Sequence, residues 1–191
     1  KDIEFINELE NMKKTFRKTK VVGTDRYEND AEHSWHVTMM ALILDKYKEV
    51  EADLTKTLEM LLVHDLVELY AGDTYAYDTN GYEDKLDREK AAMERIKNQL
   101  SEDNAKKIED LWLEFEAIET NEAKFATSMD RLQPVFLNAS RKDGGTWKEH
   151  SIKKSQVVAR LETVKEFNED LYTYSMNLLD ESVDKGYLIN G

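Results

Sequence analysis

The sequence predicts an all-α fold, and three observations carry this prediction. One proline and seven glycines interrupt 191 residues, which suits long helices better than a sheet with many turns. Apolar residues recur at helical spacing along most of the chain, and a hydrophobic fraction of 40% is enough for a real core. The composition marks no place where a second core would begin, so we expect residues 1–191 to form one domain, a helical bundle.

The spacing of apolar residues predicts where each helix lies. The predicted helices span residues 2–16, 31–47, 54–69, 83–100, 102–118, the stretch from Glu122 to the Gly144-Gly145 turn, and one or two stretches within 151–185. The segment 54–69 is apolar nearly all round, so we expect a buried central helix there. The segments 21–30 and 70–82 combine Gly, Asp and Asn, and we expect loops at both places.

The composition excludes several classes of function. The chain has no cysteine, which rules out a disulfide framework, a thiolate metal site and a cysteine nucleophile. Its net charge of −13 repels polyanions and argues against a nucleic acid polymer as partner. A small phosphorylated metabolite remains a candidate, because one metal ion and a few basic side chains can reverse the field locally.

The sequence carries no signal for a membrane. No stretch approaches the roughly 18 uninterrupted apolar residues that a membrane span needs. The first segment, KDIEFINELE, is acidic and amphipathic and does not have the pattern of a signal peptide. We therefore expect a cytoplasmic protein without a membrane partner.

Polar residues interrupt the apolar segment 54–69. An unpaired carboxylate at Asp65 would cost several kcal/mol in an apolar environment, so something must compensate its charge. Neighbouring helix positions lie about 100° apart, so His64 and Asp65 can both reach a metal ion at the edge of the helix. Glu68 lies on the same side, one turn further on. A His-Asp pair satisfied by the backbone or by a basic residue remains the alternative.

Asp130 presents the same problem in another helix. Apolar residues stand seven and four positions before it and seven positions after it, which predicts a buried carboxylate. Pairing with Arg131 or with a lysine remains the alternative to metal binding. Pro134 lies four residues later and cannot donate a hydrogen bond to the carbonyl of Asp130, which predicts a bend in the helix.

The histidines are ambiguous from spacing alone. His33 and His36 lie three residues apart in EHSWH, and either can be a ligand while the other packs. His150, in the polar stretch TWKEHS, is predicted to be a surface residue. Tyrosines of the loop 70–82 either stack on a ligand or fill the core of the loop; they are Tyr70, Tyr75 and Tyr77.

Three motifs together resemble those of the HD-domain phosphohydrolases. They are EHSWHV at 32–37, HDLVELYAGD at 64–73 and AKFATSMDRLQ at 123–133. The likeness covers roughly residues 5–140 and is greatest to the small proteins that include the bacterial 5'-deoxynucleotidases and their eukaryotic relatives. The resemblance implies an HD-domain helical bundle and, because those relatives self-associate, a homodimer.

The resemblance assigns roles near the metal. It implies that the ligands of a divalent metal ion are His33, His64, Asp65 and Asp130, and it leaves His36 to packing. Glu68 and Asp73 match the positions that handle the attacking water and protonate the leaving group in that branch.

The resemblance also points to substrate-binding residues. The branch has an arginine that grips the substrate phosphate near position 18, where this chain has Arg17 followed by Lys18. Either residue can hold the phosphate, although lysine offers a point charge and not a bidentate fork. Arg26 and Glu28 match residues that shape the same pocket.

We therefore expect a divalent-metal-dependent phosphohydrolase that releases phosphate from (deoxy)nucleoside 5'-monophosphates. Two imidazoles and two carboxylates suit Mn, Co, Fe, Ni or Zn, with Mg as a further candidate, and such an ion activates water and attracts a phosphate oxygen. The alternatives are hydrolysis of a nucleoside triphosphate or alarmone and a non-catalytic metal- or nucleotide-binding regulatory module. The presence of Glu68 and Asp73 argues against the module. The sequence leaves open the metal and the preference for base and sugar.

Overall fold

Helices form most of the fold, as the sequence predicts, and a two-stranded sheet lies near the N terminus. The computed structural model describes residues 1–78 and 81–191, so that Thr79 and Asn80 of the predicted loop lie outside the described residues. Its elements are α1 (Asp2–Glu8), β1 (Phe16–Lys20), β2 (Tyr27–Asn29), α2 (Asp30–Leu44), α3 (Leu54–Val63), α4 (Glu68–Ala71), α5 (Lys85–Gln99), α6 (Glu102–Ala117), α7 (Asn121–Ser140), α8 (Gly145–Glu149), α9 (Lys154–Val158), α10 (Glu162–Phe167) and α11 (Glu169–Asp184). Short 3₁₀ segments, Leu9–Lys14 and Asp45–Tyr47, follow α1 and α2.

A β-hairpin replaces part of the first predicted helix and part of the loop after it. The helix predicted over 2–16 is wrong beyond α1, because a 3₁₀ segment and then β1 follow. The strands β1 and β2 pair antiparallel, with Phe16 opposite Asn29. Burial alternates along β1, as it does in a half-buried strand. Arg17 therefore faces the protein interior, whereas Lys18 is exposed.

The chain passes from β2 directly into α2 through a capping box. The side-chain oxygen of Asn29 accepts a hydrogen bond from the backbone N–H of Glu32, and the Glu32 carboxylate accepts one from the backbone N–H of Asn29. This cap fixes the first turn of the helix. Asp30 and His33, which follow within that turn, are fully buried.

The central helix predicted over 54–69 is broken. α3 ends at Val63, α4 begins at Glu68, and the N–H of Glu68 donates to the carbonyl of Asp65 at 2.9 Å in the tighter i to i+3 pattern. His64 and Asp65 therefore lie at the end of a buried helix and not in its middle. A continuous helix holds adjacent side chains about 100° apart, whereas here the Nε2 of His64 lies 3.2 Å from the Oδ2 of Asp65.

α7 lies at the centre of the bundle and carries Asp130. It packs against α2, α3, α6, α10 and α11, and its helical assignment confirms the prediction for this part of the chain. The helix continues through Pro134. The turn predicted at Gly144-Gly145 leads into the short helix α8, which the sequence analysis did not predict.

Two hydrophobic clusters surround this arrangement. The larger cluster is built around α7, where Phe125 stacks on Phe167 of α10 with ring centroids 4.5 Å apart. The smaller cluster joins α1 to α5 and α6 and includes Phe5, Ile96 and Trp112. The C-terminal segment, predicted to hold one or two helices, forms α9, α10 and α11. Within residues 1–78 and 81–191, no helix combines the length and the apolar character that crossing a membrane requires.

Candidate metal centre and substrate cavity

Side chains from α2, the end of α3 and α7 converge at one place. The Nε2 atoms of His33 and His64 lie 3.3 Å apart, and the Oδ1 of Asp130 lies 3.0 Å from the first and 3.8 Å from the second. The Oδ2 of Asp65 lies 3.2 Å from the His64 nitrogen and 3.7 Å from the His33 nitrogen. The structure thus brings together all four residues that the resemblance implies as metal ligands.

The orientation of both imidazole rings suits a metal ion. The Nδ1 of His64 lies 2.8 Å from the carbonyl of Leu61 and donates its proton there, which leaves the lone pair on Nε2. The Nδ1 of His33 faces the buried carboxylate of Glu28 at 3.7 Å. Two nitrogen lone pairs and two carboxylates cannot satisfy one another without a proton or a cation. This donor set therefore fits a divalent cation.

The electrostatics of the four residues demand positive charge. Burial lowers the pKa of His64, but the carboxylates of Asp65 and Asp130 outweigh it and raise that pKa to about 10. Burial raises the pKa of Asp130, yet the hydrogen bond with His33 and the charge of the nearby His64 hold it well below its ordinary value. Histidine binds a metal ion in its neutral form, so a bound cation takes the place of the proton.

Arg17 reaches these residues from β1. Its Nη1 lies 2.5 Å from the Oδ2 of Asp65, its Nη2 lies 3.9 Å from the Oδ1 of Asp130, and its Nε lies 3.6 Å from Glu28. Burial lowers the pKa of the guanidinium, but the surrounding carboxylates, Asp65 first among them, raise it above its ordinary value. Arg17 therefore stays charged inside the protein.

A second cluster, made only of carboxylates, lies beside the first. Asp30, Glu68 and Asp73 each offer an oxygen within 4.8 Å of the others, close enough to hold another cation. Burial and the charge of Asp65 raise the pKa of Asp30 to about 7 and raise that of Glu68 well above its ordinary value. Burial likewise raises the pKa of Asp73. The cluster therefore keeps a proton or holds a cation near neutral pH.

Asp30 is a candidate that the sequence analysis missed. Both of its carboxylate oxygens are buried without a hydrogen-bond partner among the described residues, which is costly for a charged group. The sequence analysis placed Asp30 at the end of the predicted loop 21–30, where an acidic residue before a helix has an ordinary explanation in the helix dipole. Two signals were available: Asn29 and Glu32 already form the cap, and Asp30 lies three residues before His33 on the same helix face.

Members of both clusters line one cavity of about 300 Å³, namely His64, Asp65 and Asp130 of the first and Glu68 and Asp73 of the second. This volume is in the range of small-molecule sites. Further charged residues of the wall are Lys18, Lys85, Glu116, Arg131 and Arg160. Tyr75 and Tyr77 also line the cavity, with their rings edge to face at 5.4 Å, whereas Tyr70 lies outside it and beneath the guanidinium of Arg95.

Three residues considered from the sequence lie apart from the cavity. Arg26 binds the carboxylate of Glu32 through hydrogen bonds of 2.8 and 2.9 Å and is not among the residues that line it. His36 contacts Gln133 at 3.3 Å and packs between α2 and α7. His150 is exposed, as predicted.

Asp130→Asn should remove the metal ion. The variant lacks the carboxylate that lies between the two imidazoles, and even the loss of an outer-shell partner lowers metal affinity by roughly 10–100-fold. The protein is loaded with Mn²⁺ and gel-filtered, and its metal content is measured by inductively coupled plasma mass spectrometry. We expect this content to fall by at least about tenfold in the variant. Asp110→Asn, which alters an exposed carboxylate paired with Lys106, is the matched control. Undiminished metal in a folded Asp130→Asn protein would show that the assignment is wrong.

Comparison with known proteins identifies the family of the chain. The family model described as "HD domain" matches residues 9–171. The 5'-deoxynucleotidase HDDC2 of Dictyostelium discoideum is 36% identical over 130 residues, which are 64% of this chain and 68% of that protein. The human 5'-deoxynucleotidase HDDC2 is 29% identical over 121 residues, and the chain spans 58% of its length.

Solved structures show the same fold. A crystal structure from Magnetospirillum magnetotacticum, titled a predicted metal-dependent phosphohydrolase, superimposes with a TM-score of 0.91 at 38% identity and covers 98% of this chain and 93% of its own. An HD-domain phosphohydrolase from Listeria innocua has a TM-score of 0.61 at 18% identity, covers 95% of this chain and 85% of its own, and supports the fold alone. The resemblance found in the motifs is thus confirmed, and the chain belongs to the HD domain family.

Proposed function

We propose that this protein hydrolyses the phosphate ester of (deoxy)nucleoside 5'-monophosphates with the help of a divalent metal ion. The observation that carries the proposal is that one cavity is lined by His64, Asp65 and Asp130 of the first cluster and by Glu68 and Asp73, two carboxyls with raised pKa, of the second. Ester hydrolysis needs positive charge at the phosphate and a group that moves a proton. Relatives named 5'-deoxynucleotidase support a nucleotide as the substrate.

The metal ion would be held by His33, His64, Asp65 and Asp130. Two imidazole nitrogens and two carboxylate oxygens suit Mn, Co, Fe, Ni or Zn, and Mg is the remaining candidate. When bound, the ion supplies positive charge against a phosphate oxygen and lowers the pKa of water.

Glu68 and Asp73 are the residues that we propose for proton transfer. Glu68 is buried, and its Oε2 has no hydrogen-bond partner among the described residues. Burial and the charges of Asp65 and Asp30 raise its pKa, which favours the protonated carboxyl that can give its proton to the leaving oxygen. Asp73 lies in the same cluster but is less buried, so its role is to assist. Asp30 adds negative charge that helps to raise the pKa of Glu68.

Arg17 is the residue that we propose for holding the substrate phosphate. It lines the cavity beside the metal ligands, and N–H groups of its guanidinium other than the one bound to Asp65 can be donated to a phosphate. Lys18 lines the same cavity from an exposed position and adds a point charge. Arg26 is engaged with Glu32 at the start of α2, so we assign it to the fold and not to the substrate.

The structure argues against one of the two alternative functions and leaves one observation in favour of the other. A non-catalytic binding module has no use for the buried Glu68 with its raised pKa next to a complete ligand set. Hydrolysis of a nucleotide with several phosphates keeps one specific observation in its favour, because Arg131 and Arg160 add positive charge to the same cavity.

Glu68→Gln should abolish chemistry without removing the metal held by the two imidazoles. General acid-base catalysis contributes about 10²–10⁴-fold, so kcat for dAMP in the presence of Mn²⁺ or Co²⁺ should fall within or beyond that range. Glu114→Gln is the control. It alters a glutamate of α6 that pairs with Lys56 of α3, and the variant should keep its activity. Loss of the metal in Glu68→Gln would show that Glu68 is a ligand. Full activity of the variant would show that Asp73 or solvent carries out the proton transfer.

If the wild type releases no phosphate from any nucleoside mono- or triphosphate, the proposed function is wrong.

We also propose that the protein forms a homodimer through the outer face of α2. Trp35, Met39, Leu42 and Ile43 follow the spacing of one helix face, and Trp35, Leu42 and Ile43 are 64%, 50% and 60% exposed. An exposed apolar stripe marks an interaction surface. Each copy carries a net charge of −13, so an apolar patch is where two copies repel each other least.

Leu42→Glu should separate the dimer, because the new charge would be buried next to its own copy across the two-fold axis. Light scattering at micromolar concentration should give twice 22.3 kDa for the wild type and 22.3 kDa for the variant. Leu113→Glu on α6, where the leucine is likewise 50% exposed, is the matched control and should stay dimeric. A monomeric wild type would dispose of the proposal, and a dimeric Leu42→Glu protein would move the interface elsewhere.

We further propose a cytoplasmic location, because a composition without cysteine suits a reducing compartment.

A further inference from the structure

Two arginines of the cavity lie side by side without a carboxylate. Arg131 follows Asp130 on α7, and Arg160 stands two residues before α10; both are half-buried and line the cavity. The Nη1 of Arg131 donates to the backbone carbonyl of Arg160 at 3.1 Å, which holds the two residues together. In the part of the chain that the structure describes, no carboxylate oxygen lies within 4.0 Å of either guanidinium.

This arrangement is unusual in a chain with 40 acidic and 27 basic residues. Arginines that pair with a carboxylate at 2.9 Å or less are Arg17, Arg26, Arg88 and Arg141. Arg95 instead stacks on the ring of Tyr70 at 3.7 Å. Two half-buried guanidinium groups repel each other and lose part of their hydration, so a negatively charged partner is needed to offset both.

We propose that Arg131 and Arg160 bind a second anionic group of the substrate, so that the preferred substrate is a nucleotide with a phosphate in addition to the one released. Arg17 holds positive charge beside the metal ligands, and the arginine pair holds positive charge at another part of the same cavity. A molecule with two phosphates satisfies both places at once. The inference rests on the proposed phosphohydrolase activity of this site and goes beyond it, because it puts a nucleotide with a second phosphate in place of the simple 5'-monophosphate as the preferred substrate.

A phosphate fits this pair better than a nucleobase does. The carbonyl groups of a base accept hydrogen bonds but carry no net charge, so the repulsion between the two guanidinium groups would remain. A phosphate offers three acceptor oxygens and negative charge, and arginine binds it bidentately. The neighbouring cation of the wall, Lys85, is already paired with Glu89 at 3.0 Å.

The first measurement compares substrates on the Mn²⁺-loaded wild type. Phosphate release is followed for dAMP, for dADP and for 2'-deoxyadenosine 3',5'-bisphosphate. A charged hydrogen bond is worth roughly tenfold or more, so we expect kcat/KM for one of the two-phosphate compounds to exceed that for dAMP by at least about tenfold. The preferred compound shows whether the second phosphate lies on the same phosphate chain or on the sugar. Equal kcat/KM for all three would overturn the proposal.

The second measurement changes the pair itself. Arg160 is the cleaner position, since its guanidinium forms no hydrogen bond within the described residues. We expect the ratio of kcat/KM between the two-phosphate compound and dAMP to approach one in Arg160→Gln and to be retained in part in Arg160→Lys. Arg95→Gln, an exposed arginine on α5, is the matched control and should leave the ratio unchanged. An unchanged ratio in Arg160→Gln would overturn the proposal.

Calorimetry separates failure of this inference from failure of the proposed function. If the wild type hydrolyses none of the three compounds, binding of the 3',5'-bisphosphate to the Mn²⁺-loaded protein still decides the matter. A Kd at least about tenfold lower for the wild type than for Arg160→Gln supports the subsite without the reaction, and equal Kd values overturn it. If Arg160→Gln instead changes only the preference between dGMP and dAMP, the pair reads the base and the proposal is wrong.

Discussion

The convergence of two carboxylates and two imidazoles at a buried point is the constraint on which the rest of the structure depends. The Nε2 atoms of His33 and His64 lie 3.3 Å apart, with Asp130 at 3.0 Å from the first. An uncompensated buried charge typically costs several kcal/mol, so such a site persists only with positive charge inside it. Arg17 supplies part of that charge from β1, and a proton on His64 supplies more when no metal is bound. A metal ion bound by these residues would therefore serve both the proposed chemistry and the stability of the folded core.

The irregular parts of the fold lie where this constraint requires them. The break between α3 and α4 puts His64 and Asp65 at a helix end, where both side chains reach the same point. The hairpin β1-β2 directs Arg17 inward, and the capping box between Asn29 and Glu32 starts α2 so that Asp30 and His33 are buried. The regular helices, above all α7, supply the rigid frame, and the functional groups stand at their ends or on their inner faces. Such a frame would hold the proposed catalytic groups in position before a substrate binds.

The residues that the sequence analysis singled out converge in the structure, whereas several of the predicted element bounds around them are wrong. Polar residues inside apolar helical patterns pointed to His64, Asp65 and Asp130, because burial of a charge is a strong physical anomaly. The sequence analysis did not predict the break between Val63 and Glu68, because the apolar pattern continues through these residues. The hydrogen bonds that form the break are local and leave no signal in that pattern. Asp30 and the pair Arg131 and Arg160 were missed for another reason. An acidic residue at a helix start and arginines in a chain rich in carboxylates have ordinary explanations. Only the three-dimensional neighbours show that, among the described residues, the carboxylate of Asp30 has no hydrogen-bond partner and the two guanidinium groups have no carboxylate within 4.0 Å.

The central claim is that a metal ion bound at the four converging residues replaces a proton that a histidine carries in the metal-free protein. It is tested most directly by calorimetric titration of Mn²⁺ into metal-free protein at neutral pH, in two buffers with different enthalpies of ionisation. The difference between the observed enthalpies gives the number of protons released. Because the pKa of His64 is raised to about 10 and histidine binds metal in its neutral form, the account predicts the release of roughly one proton or more per bound ion. Tight binding of Mn²⁺ with the same enthalpy in both buffers, and so without proton release, would contradict it.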